Sequence, residues 1–193
     1  MARMRSVAVF CGSKAGRRPQ YAQAAQQLGH GLAVRGIRLV YGGGRIGLMG
    51  VLADAALAAG GAVLGVIPQF LTRFEVAHGG LDDLVITDSM HDRKRHMFEQ
   101  ADAFVMLPGA VGTFDETIEV ITWKQLRLHD KPVFIANIDG SADAFLALLE
   151  DAMTRGFMTA DNRDLYRVVE DVSALLRLLD DIGPQPAGDA RRL

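Results

Sequence analysis

The sequence predicts an α/β fold in which a doubly wound parallel sheet of about six or seven strands carries helices on both faces. Short runs rich in valine, isoleucine and leucine alternate with longer segments that repeat apolar residues at helical spacing. The short runs are continuously apolar, as expected of parallel strands buried on both faces. Glycine-containing loops follow several of these runs, as in Rossmann-like nucleotide-binding domains.

The first part of the chain alternates strands and helices. Pro19 is a residue type that opens helices, Gly36 follows a segment with helical periodicity, and Gly60 ends an alanine-rich segment. The predicted strands are residues 6–11, 37–41 and 62–67, the predicted helices are residues 21–35 and 48–59, and residues 68–80 are predicted to be irregular.

The second part repeats the alternation. Thr113 and Glu116 have the spacing of a capping box, which predicts a helix that begins at Thr113. The predicted strands are residues 84–87, 103–107, 133–136 and 166–169, and the predicted helices are residues 91–101, 113–129, 142–155 and 172–182.

Length and composition restrict the class of protein. A chain of 193 residues with 49% hydrophobic and 23% charged residues has an ordinary globular balance. We expect residues 1–183 to form a single Rossmann-like domain and residues 184–193 to form a frayed, disordered tail. The net charge of −2 gives no electrostatic basis for binding nucleic acid or a membrane. Cys11 is the single cysteine, and no apolar run could span a membrane, so we expect a soluble cytoplasmic protein.

The loop at residues 108–113 joins a buried strand to a predicted helix. Its free backbone N–H groups and the positive helix end would point at one place, a geometry that binds phosphate. For this loop alone a structural alternative stays open. In it, Thr113 and Glu116 form only a capping box, and Gly109 and Gly112 are only turn residues.

Residues 42–47 match the pattern G-x-G-x-x-G, which is a weak signal by itself. The pattern follows the second predicted strand instead of the first, and residues 60–67 contain no acidic residue. These two departures exclude a nicotinamide-dependent enzyme. The glycines still permit close approach of a ligand or another loop, and helix–sheet packing is the structural alternative.

Arg93, Lys94 and Arg95 occupy the first turns of a predicted helix, where cations oppose the helix dipole. Helical spacing places Arg93 beside Met97, on the face that packs into the core, where an unpaired charge would be costly. Arg93 therefore requires an anionic partner: Glu116, a ligand phosphate, or both. A purely structural pair of Arg93 and Glu116 is the alternative.

Neither a metal nor a cofactor is predicted. His91 and His96 are five positions apart and so face different sides of a helix. The sequence has no H-E-x-x-H motif, no cysteine cluster and no G-x-S-x-G nucleophile motif.

Several of these stretches together resemble the LONELY GUY (LOG) family of phosphoribohydrolases. The similarity spans about residues 7–136 and continues weakly beyond them. Family members are often labelled lysine decarboxylases, but the sequence has no pyridoxal-phosphate pattern. The runs that carry the resemblance are residues 10–13, 41–50, 90–94, 108–116, 122–126 and 129–132.

The resemblance implies hydrolysis of the N-glycosidic bond of cytokinin riboside 5′-monophosphates, and often of AMP, to a free adenine-type base and ribose 5-phosphate. It implies a homodimer with its active site near the dimer interface, and Arg93 and Glu116 as catalytic residues. Ala110 replaces the second glycine of the family pattern P-G-G-x-G-T-x-x-E, which would weaken phosphate binding if a positive φ or a very close approach were required. The expected substrate-binding residues are Ser13, Gly43, Gly44, Met90, Arg93, Lys94, Gly109, Ala110, Val111, Gly112, Thr113 and Glu116.

The expected mechanism follows from the charge that develops on the ribose when its bond to the base breaks. A carboxylate beside the sugar, assigned to Glu116, stabilises this charge or positions the attacking water. Arg93, with Lys94, would hold Glu116 and the nucleotide, while backbone amides of residues 109–113 and 43–44 hold the phosphate. Two alternatives stay open: a nucleotide-binding sensor without hydrolysis, and a general nucleotide 5′-monophosphate nucleosidase.

Overall fold

A computed structural model describes residues 4–72, 78–81 and 83–182 of the chain. Within them, seven parallel strands form one sheet in the order β4-β3-β2-β1-β5-β6-β7, which confirms the predicted α/β class. The strands are β1 Ser6–Phe10, β2 Arg38–Tyr41, β3 Val63–Pro68, β4 Asp83–Thr87, β5 Ala103–Met106, β6 Val133–Ala136 and β7 Arg167–Val169. The helices are α1 Pro19–Val34, α2 Gly47–Ala58, α3 Met90–Glu99, α4 Val111–Gln125, α5 Asp143–Thr154 and α6 Val172–Asp181. The predicted tail at residues 184–193 lies outside the described residues.

Alternate residues of the central strand β1 face different hydrophobic clusters. Val9 of β1 packs in one cluster with Leu28 of α1, Leu52 of α2 and residues of α6. Its neighbour Phe10 packs in another cluster with Phe98 of α3 and residues of α4. Because successive side chains of a strand point to opposite faces, helices α1, α2 and α6 cover one face, and α3 and α4 cover the other.

The centre of the sheet contains the point at which the direction of strand addition reverses. β1 pairs with β2 on one side and with β5 on the other, and Phe10 lies level with Met106. The loops that follow β1 and β5 stay close, since the Gly12 N–H donates to the Pro108 carbonyl at 3.0 Å. In open α/β sheets such a reversal creates a crevice outside the carboxyl ends of the strands, where ligands bind.

The predicted capping box of α4 is wrong. The helix begins at Val111 with Ala110 as its N-cap, so Thr113 is the third helical residue, and no side chain caps this end within the described chain. Ala110 has the extended backbone typical of an N-cap residue, with φ −128° and ψ −153°, so the helix begins two residues earlier than predicted. Thr113 instead accepts at its carbonyl a hydrogen bond from the Thr117 hydroxyl at 2.7 Å.

The other element boundaries agree with the prediction to within a few residues. β6 coincides with the prediction, and the Ser89 hydroxyl caps α3 by accepting from the Asp92 N–H at 3.0 Å. Helix α4 ends at Gln125 instead of residue 129, because Arg127 adopts a left-handed conformation with φ 59° that ends helical geometry. In the predicted irregular segment, Gln69–Leu71 forms a 3-10 turn, and residues 73–77 lie outside the described residues.

Candidate active site

A cavity of about 120 Å³ opens at the carboxyl end of the sheet between α3 and α4. Its floor comes from the ends of β1 and β2, at Cys11 and Gly42, and its walls carry Arg93 and Glu116. The cavity therefore lies at the strand reversal, where the fold positions ligands. None of the helices in the described chain is long and apolar enough to cross a bilayer.

Arg93 is a cation held almost entirely away from water, with 6% of its surface exposed. Its Nη2 donates to the Gly42 carbonyl at 3.3 Å and lies 3.9 Å from Glu116 Oε1. Glu116 itself is 9% exposed. Glu116, one of the two anionic partners that the sequence analysis named for Arg93, therefore lies beside it in the structure. Both charges lie in a low-dielectric site, where they act on a bound molecule more strongly than they would in water.

Gly42 makes this arrangement possible. A Cβ atom on Gly42 would lie 2.1 Å from Arg93 Nη2, so any larger residue would displace the guanidinium. Gly43 has a different function: its φ is +73°, and its Cα faces β3, where a Cβ would lie 3.1 Å from Ile67 Cβ. The sequence analysis selected Gly43 and Gly44 as substrate-binding residues, but Gly42 is the glycine that borders the cavity.

The N-terminus of α4 faces the same cavity. Ala110, Gly112 and Thr113 line it, and the first N–H groups of a helix have no acceptors within that helix. These groups and the helix dipole favour an anion at this point. Ala110 has a negative φ of −128°, so the family's glycine is not required here for backbone conformation. The Val111 side chain is 81% exposed and points away from the cavity.

A second cavity, of about 390 Å³, adjoins the first. Both are lined by Gly12, Ser13 and Ala110, so together they form a continuous crevice between the loops after β1 and β5. Gly109 borders the second cavity, and a Cβ at this position would lie 2.0 Å from Thr113 Oγ1. Gly109 thus allows the loop to pack directly against the first turn of α4.

Most of the predicted site residues border the crevice, and four do not. Those that border the crevice are Ser13, Met90, Arg93, Gly109, Ala110, Gly112, Thr113 and Glu116. Those that do not border it are Gly43, Gly44, Lys94 and Val111. Lys94 Nζ instead lies 3.2 Å from Asp115 Oδ2 and 3.1 Å from Glu119 Oε1, and so forms ion pairs with α4. The expectation that Lys94 contacts Glu116 is therefore wrong.

Several residues around the cavity were not predicted. Cys11 and Gly12 follow β1, and Met49 lies in the first turn of α2. A lone cysteine or methionine gives no signal of this kind in sequence, since both residue types are usually buried for packing. Their position along the chain could have indicated them. Residues that directly follow parallel strands lie at the same edge of the sheet, which is where ligands bind in this type of fold.

Two buried basic residues, His129 and Lys131, form hydrogen bonds to the backbones of α4 and α3. His129 donates from Nε2 to the Val120 carbonyl at 2.8 Å and accepts from the Lys131 N–H at Nδ1, 3.1 Å away. Burial lowers the pKa of His129 to about 4. Lys131 Nζ donates to the Phe98 carbonyl at 2.7 Å, and burial lowers the pKa of Lys131 to about 8. These contacts join α3 to α4 through neutral or weakly basic groups.

The fold and the site together define a Rossmann-like α/β protein in which a helix N-terminus without a side-chain cap lies beside a buried acid–arginine pair. A family sequence model described as "Possible lysine decarboxylase" matches residues 49–179. The chain is 43% identical to cytokinin riboside 5′-monophosphate phosphoribohydrolase LOG2 of Arabidopsis thaliana, over 95% of this chain and 86% of that protein. It is 45% identical to the phosphoribohydrolase of Rhodococcoides fascians, over 89% of this chain and 87% of that protein. The chain therefore belongs to the LOG family.

Solved structures agree on the architecture. The molybdenum cofactor carrier protein of Chlamydomonas reinhardtii superposes with a TM-score of 0.70 at 22% identity, covering 93% of this chain and 98% of that one. The molybdenum cofactor binding protein of Rippkaea orientalis superposes with a TM-score of 0.69 at 19% identity, covering 94% and 98%. At these identities the likeness concerns the fold alone.

Proposed function

We propose that this protein hydrolyses the N-glycosidic bond of cytokinin riboside 5′-monophosphates to release the free base and ribose 5-phosphate. The observation that carries the proposal is the buried Arg93–Glu116 pair, 3.9 Å apart, in a cavity that also receives the N-terminus of α4. Relatives that are 43% and 45% identical over most of their length bear the name of this activity. No cofactor is needed for such a hydrolysis.

The geometry assigns a task to each part of the site. The free N–H groups at residues 111–113 hold the 5′-phosphate at the positive end of α4. The phosphate anchors the ribose so that its anomeric carbon faces Glu116, whose carboxylate stabilises the developing oxocarbenium-like charge or orients the attacking water. Arg93 holds that carboxylate and neutralises negative charge on the departing base. Phosphate binding away from the reacting bond can be used to distort the sugar.

The size of the crevice supports a ligand that occupies both of its cavities. Pockets for small molecules commonly enclose about 300–1,000 Å³. The cavity at Glu116 encloses about 120 Å³, which is below this range, so a nucleotide that reaches Glu116 must extend into the adjoining cavity of about 390 Å³. The shared boundary at Ser13 and Ala110 then lies beside the phosphate.

The variant Glu116→Gln tests the proposal. Glu116 does not cap α4, and glutamine keeps its size, so the fold should persist. We expect kcat to fall by about 10³-fold, because the variant removes the charge that stabilises the ribosyl cation. Chromatography of purified protein with N6-isopentenyl AMP measures the base and ribose 5-phosphate. Glu170→Gln, at an exposed position directly after β7, is the control substitution of the same type. Full turnover by the Glu116 variant would remove this residue from catalysis.

A nucleotide panel separates the proposal from its rivals. Release of base from AMP at a rate equal to that from N6-isopentenyl AMP would identify a general nucleotide 5′-monophosphate nucleosidase. Tight binding of both nucleotides with no release of base would identify a sensor. The proposed activity predicts faster release from the N6-substituted nucleotide, and we include AMP as a slower substrate.

We further propose that the protein is a cytoplasmic homodimer. Support comes from exposed apolar residues along α4 and at its C-cap: Val111, Ile118 and Leu126 are 81%, 39% and 63% exposed. Their spacing places them on one side of the helix. The single cysteine suits a reducing compartment. Light scattering of the wild type and of Ile118→Lys tests the dimer, which the variant should dissociate.

A further inference from the structure

Two neighbouring cations of α3 reach different carboxylates of α4. Arg93 approaches Glu116 at 3.9 Å, inside the cavity. Lys94, the next residue, lies 3.2 Å from Asp115, which also lines the cavity, and 3.1 Å from Glu119, which does not. The two carboxylates contacted by Lys94 flank Glu116 in sequence, one position before it and three positions after it. Since residues three apart on a helix are neighbours, Lys94 lies among the charges that surround Glu116.

Burial distinguishes this cluster from an ordinary surface ion pair. The Lys94 side chain is 17% exposed and that of Glu119 is 23% exposed. Burial by itself disfavours the charged lysine, but hydrogen bonds to Glu119 and Asp115 outweigh it and raise the pKa of Lys94 above its usual value. By contrast, the Arg95–Asp92 pair lies within α3, and its side chains are 45% and 39% exposed. Exposed ion pairs of that kind contribute little to the free energy of folding.

We propose that Lys94 is a positioning residue that fixes α3 against α4 and thereby sets the geometry of Arg93 and Glu116. Lys94 also compensates the charges of Asp115 and Glu119, so that Glu116 stays ionised when it faces the ribose. This inference rests on the proposed hydrolase function. It assigns Lys94 an effect on the chemical step, whereas the sequence analysis expected Lys94 to bind substrate.

The charged and titratable groups near Glu116 determine the expected pH dependence. Arg93 of α3 approaches Glu116 at 3.9 Å, and Asp115 of α4 and Cys11, which follows β1, line the same cavity. Lys94 and Glu119 join this group of charges through the ion pairs of Lys94 with Asp115 and Glu119. Removing the Lys94 charge leaves Asp115 and Glu119 uncompensated. Two nearby negative charges favour the protonated form of a carboxyl group. The inactive, protonated state of Glu116 should then persist to higher pH.

The variant Lys94→Met keeps the length of the side chain and removes its charge. We expect kcat for N6-isopentenyl AMP to fall at least tenfold, with KM changed less than about threefold, because a displacement near 1 Å can cost up to about 100-fold. The acid limb of the kcat–pH profile should move upward by about one pH unit. Lys94→Arg should restore both kcat and the profile. Arg95→Gln, which removes the adjacent cation of α3, should leave both as in the wild type.

Two outcomes would overturn the inference: a raised KM with unchanged kcat, which would make Lys94 a substrate-binding residue, and an effect no larger than that of Arg95→Gln. If Lys94→Met lacks a cooperative unfolding transition, the double variant with Glu119→Gln provides the same comparison with one fewer uncompensated charge.

NMR titration of the Glu116 carboxyl group is a measurement that does not require turnover. In Lys94→Met this carboxyl group should titrate at higher pH than in the wild type. A wild type that hydrolyses no nucleotide would refute the proposed function, while this titration would still test Lys94.

Discussion

Replacing Gly42 with alanine is the sharpest perturbation of the site that the structure offers. The new Cβ would lie 2.1 Å from Arg93 Nη2 and 3.1 Å from Met49 Sδ, and Cβ atoms essentially never lie within 3.0 Å of a neighbour. The guanidinium must therefore retreat by about 1 Å. Its side chain is 7% exposed and lines the cavity beside Glu116, so this movement changes its position relative to the Glu116 carboxylate.

The magnitude follows from that displacement. Moving Arg93 breaks its hydrogen bond to the Gly42 carbonyl, 3.3 Å long, and alters its 3.9 Å approach to Glu116. A misplacement of about 1 Å can reduce a rate by about 100-fold, which corresponds to about 2.7 kcal/mol of activation free energy. Overpacking of the core should also lower the free energy of unfolding by about 1–3 kcal/mol. KM should change little, because residues 109–113 are not touched.

The assay is base release from N6-isopentenyl AMP, combined with urea unfolding of the same preparations. Gly79→Ala is the matched control, since a Cβ at Gly79 meets no atom within 4 Å. A folded Gly42→Ala enzyme with the kcat of the wild type would show that Arg93 does not need its observed position. The catalytic assignment of the Arg93–Glu116 pair would then fail.

Three further outcomes are expected. Because burial lowers the pKa of His129 from 6.5 to about 4, the unfolded chain binds a proton that the folded chain does not, and the free energy of unfolding should decrease by about 3 kcal/mol as the pH falls from 6.5 to 4. Urea unfolding of His129→Gln should lack this slope. Gly109→Ala should raise KM by about tenfold in the same turnover assay, since its Cβ would lie 2.0 Å from Thr113 Oγ1 and distort the phosphate loop. Phe98→Ala should cost about 3–5 kcal/mol in thermal unfolding, because Phe98 is 1% exposed and packs edge-to-face on Trp123 at 5.1 Å.

The order of the strands and helices along the chain could be predicted because each one depends on a pattern of residues close together in sequence. Continuous apolar runs gave the strands, and the apolar face of residues 90–99 showed that Arg93 is buried and needs an anion. Sequence alone left the partner of Arg93 open between Glu116, a ligand phosphate, or both, and the structure places Glu116 beside it. The start of α4 was missed because alanine is a poor N-cap residue, whereas Thr113 and Glu116 have the spacing of a capping box; in the structure Ala110 is nevertheless the N-cap.

The sequence by itself determined the parallel α/β architecture, the buried arginine and the glycine loops at one edge of the sheet. Only the tertiary structure decided that Gly42 and not Gly43 borders the cavity, and that Lys94 forms ion pairs with Asp115 and Glu119. The physical reason is the range of the interactions. Helical and strand periodicity are set by neighbours along the chain, whereas the partner of a charged side chain is set by the helix that packs beside it.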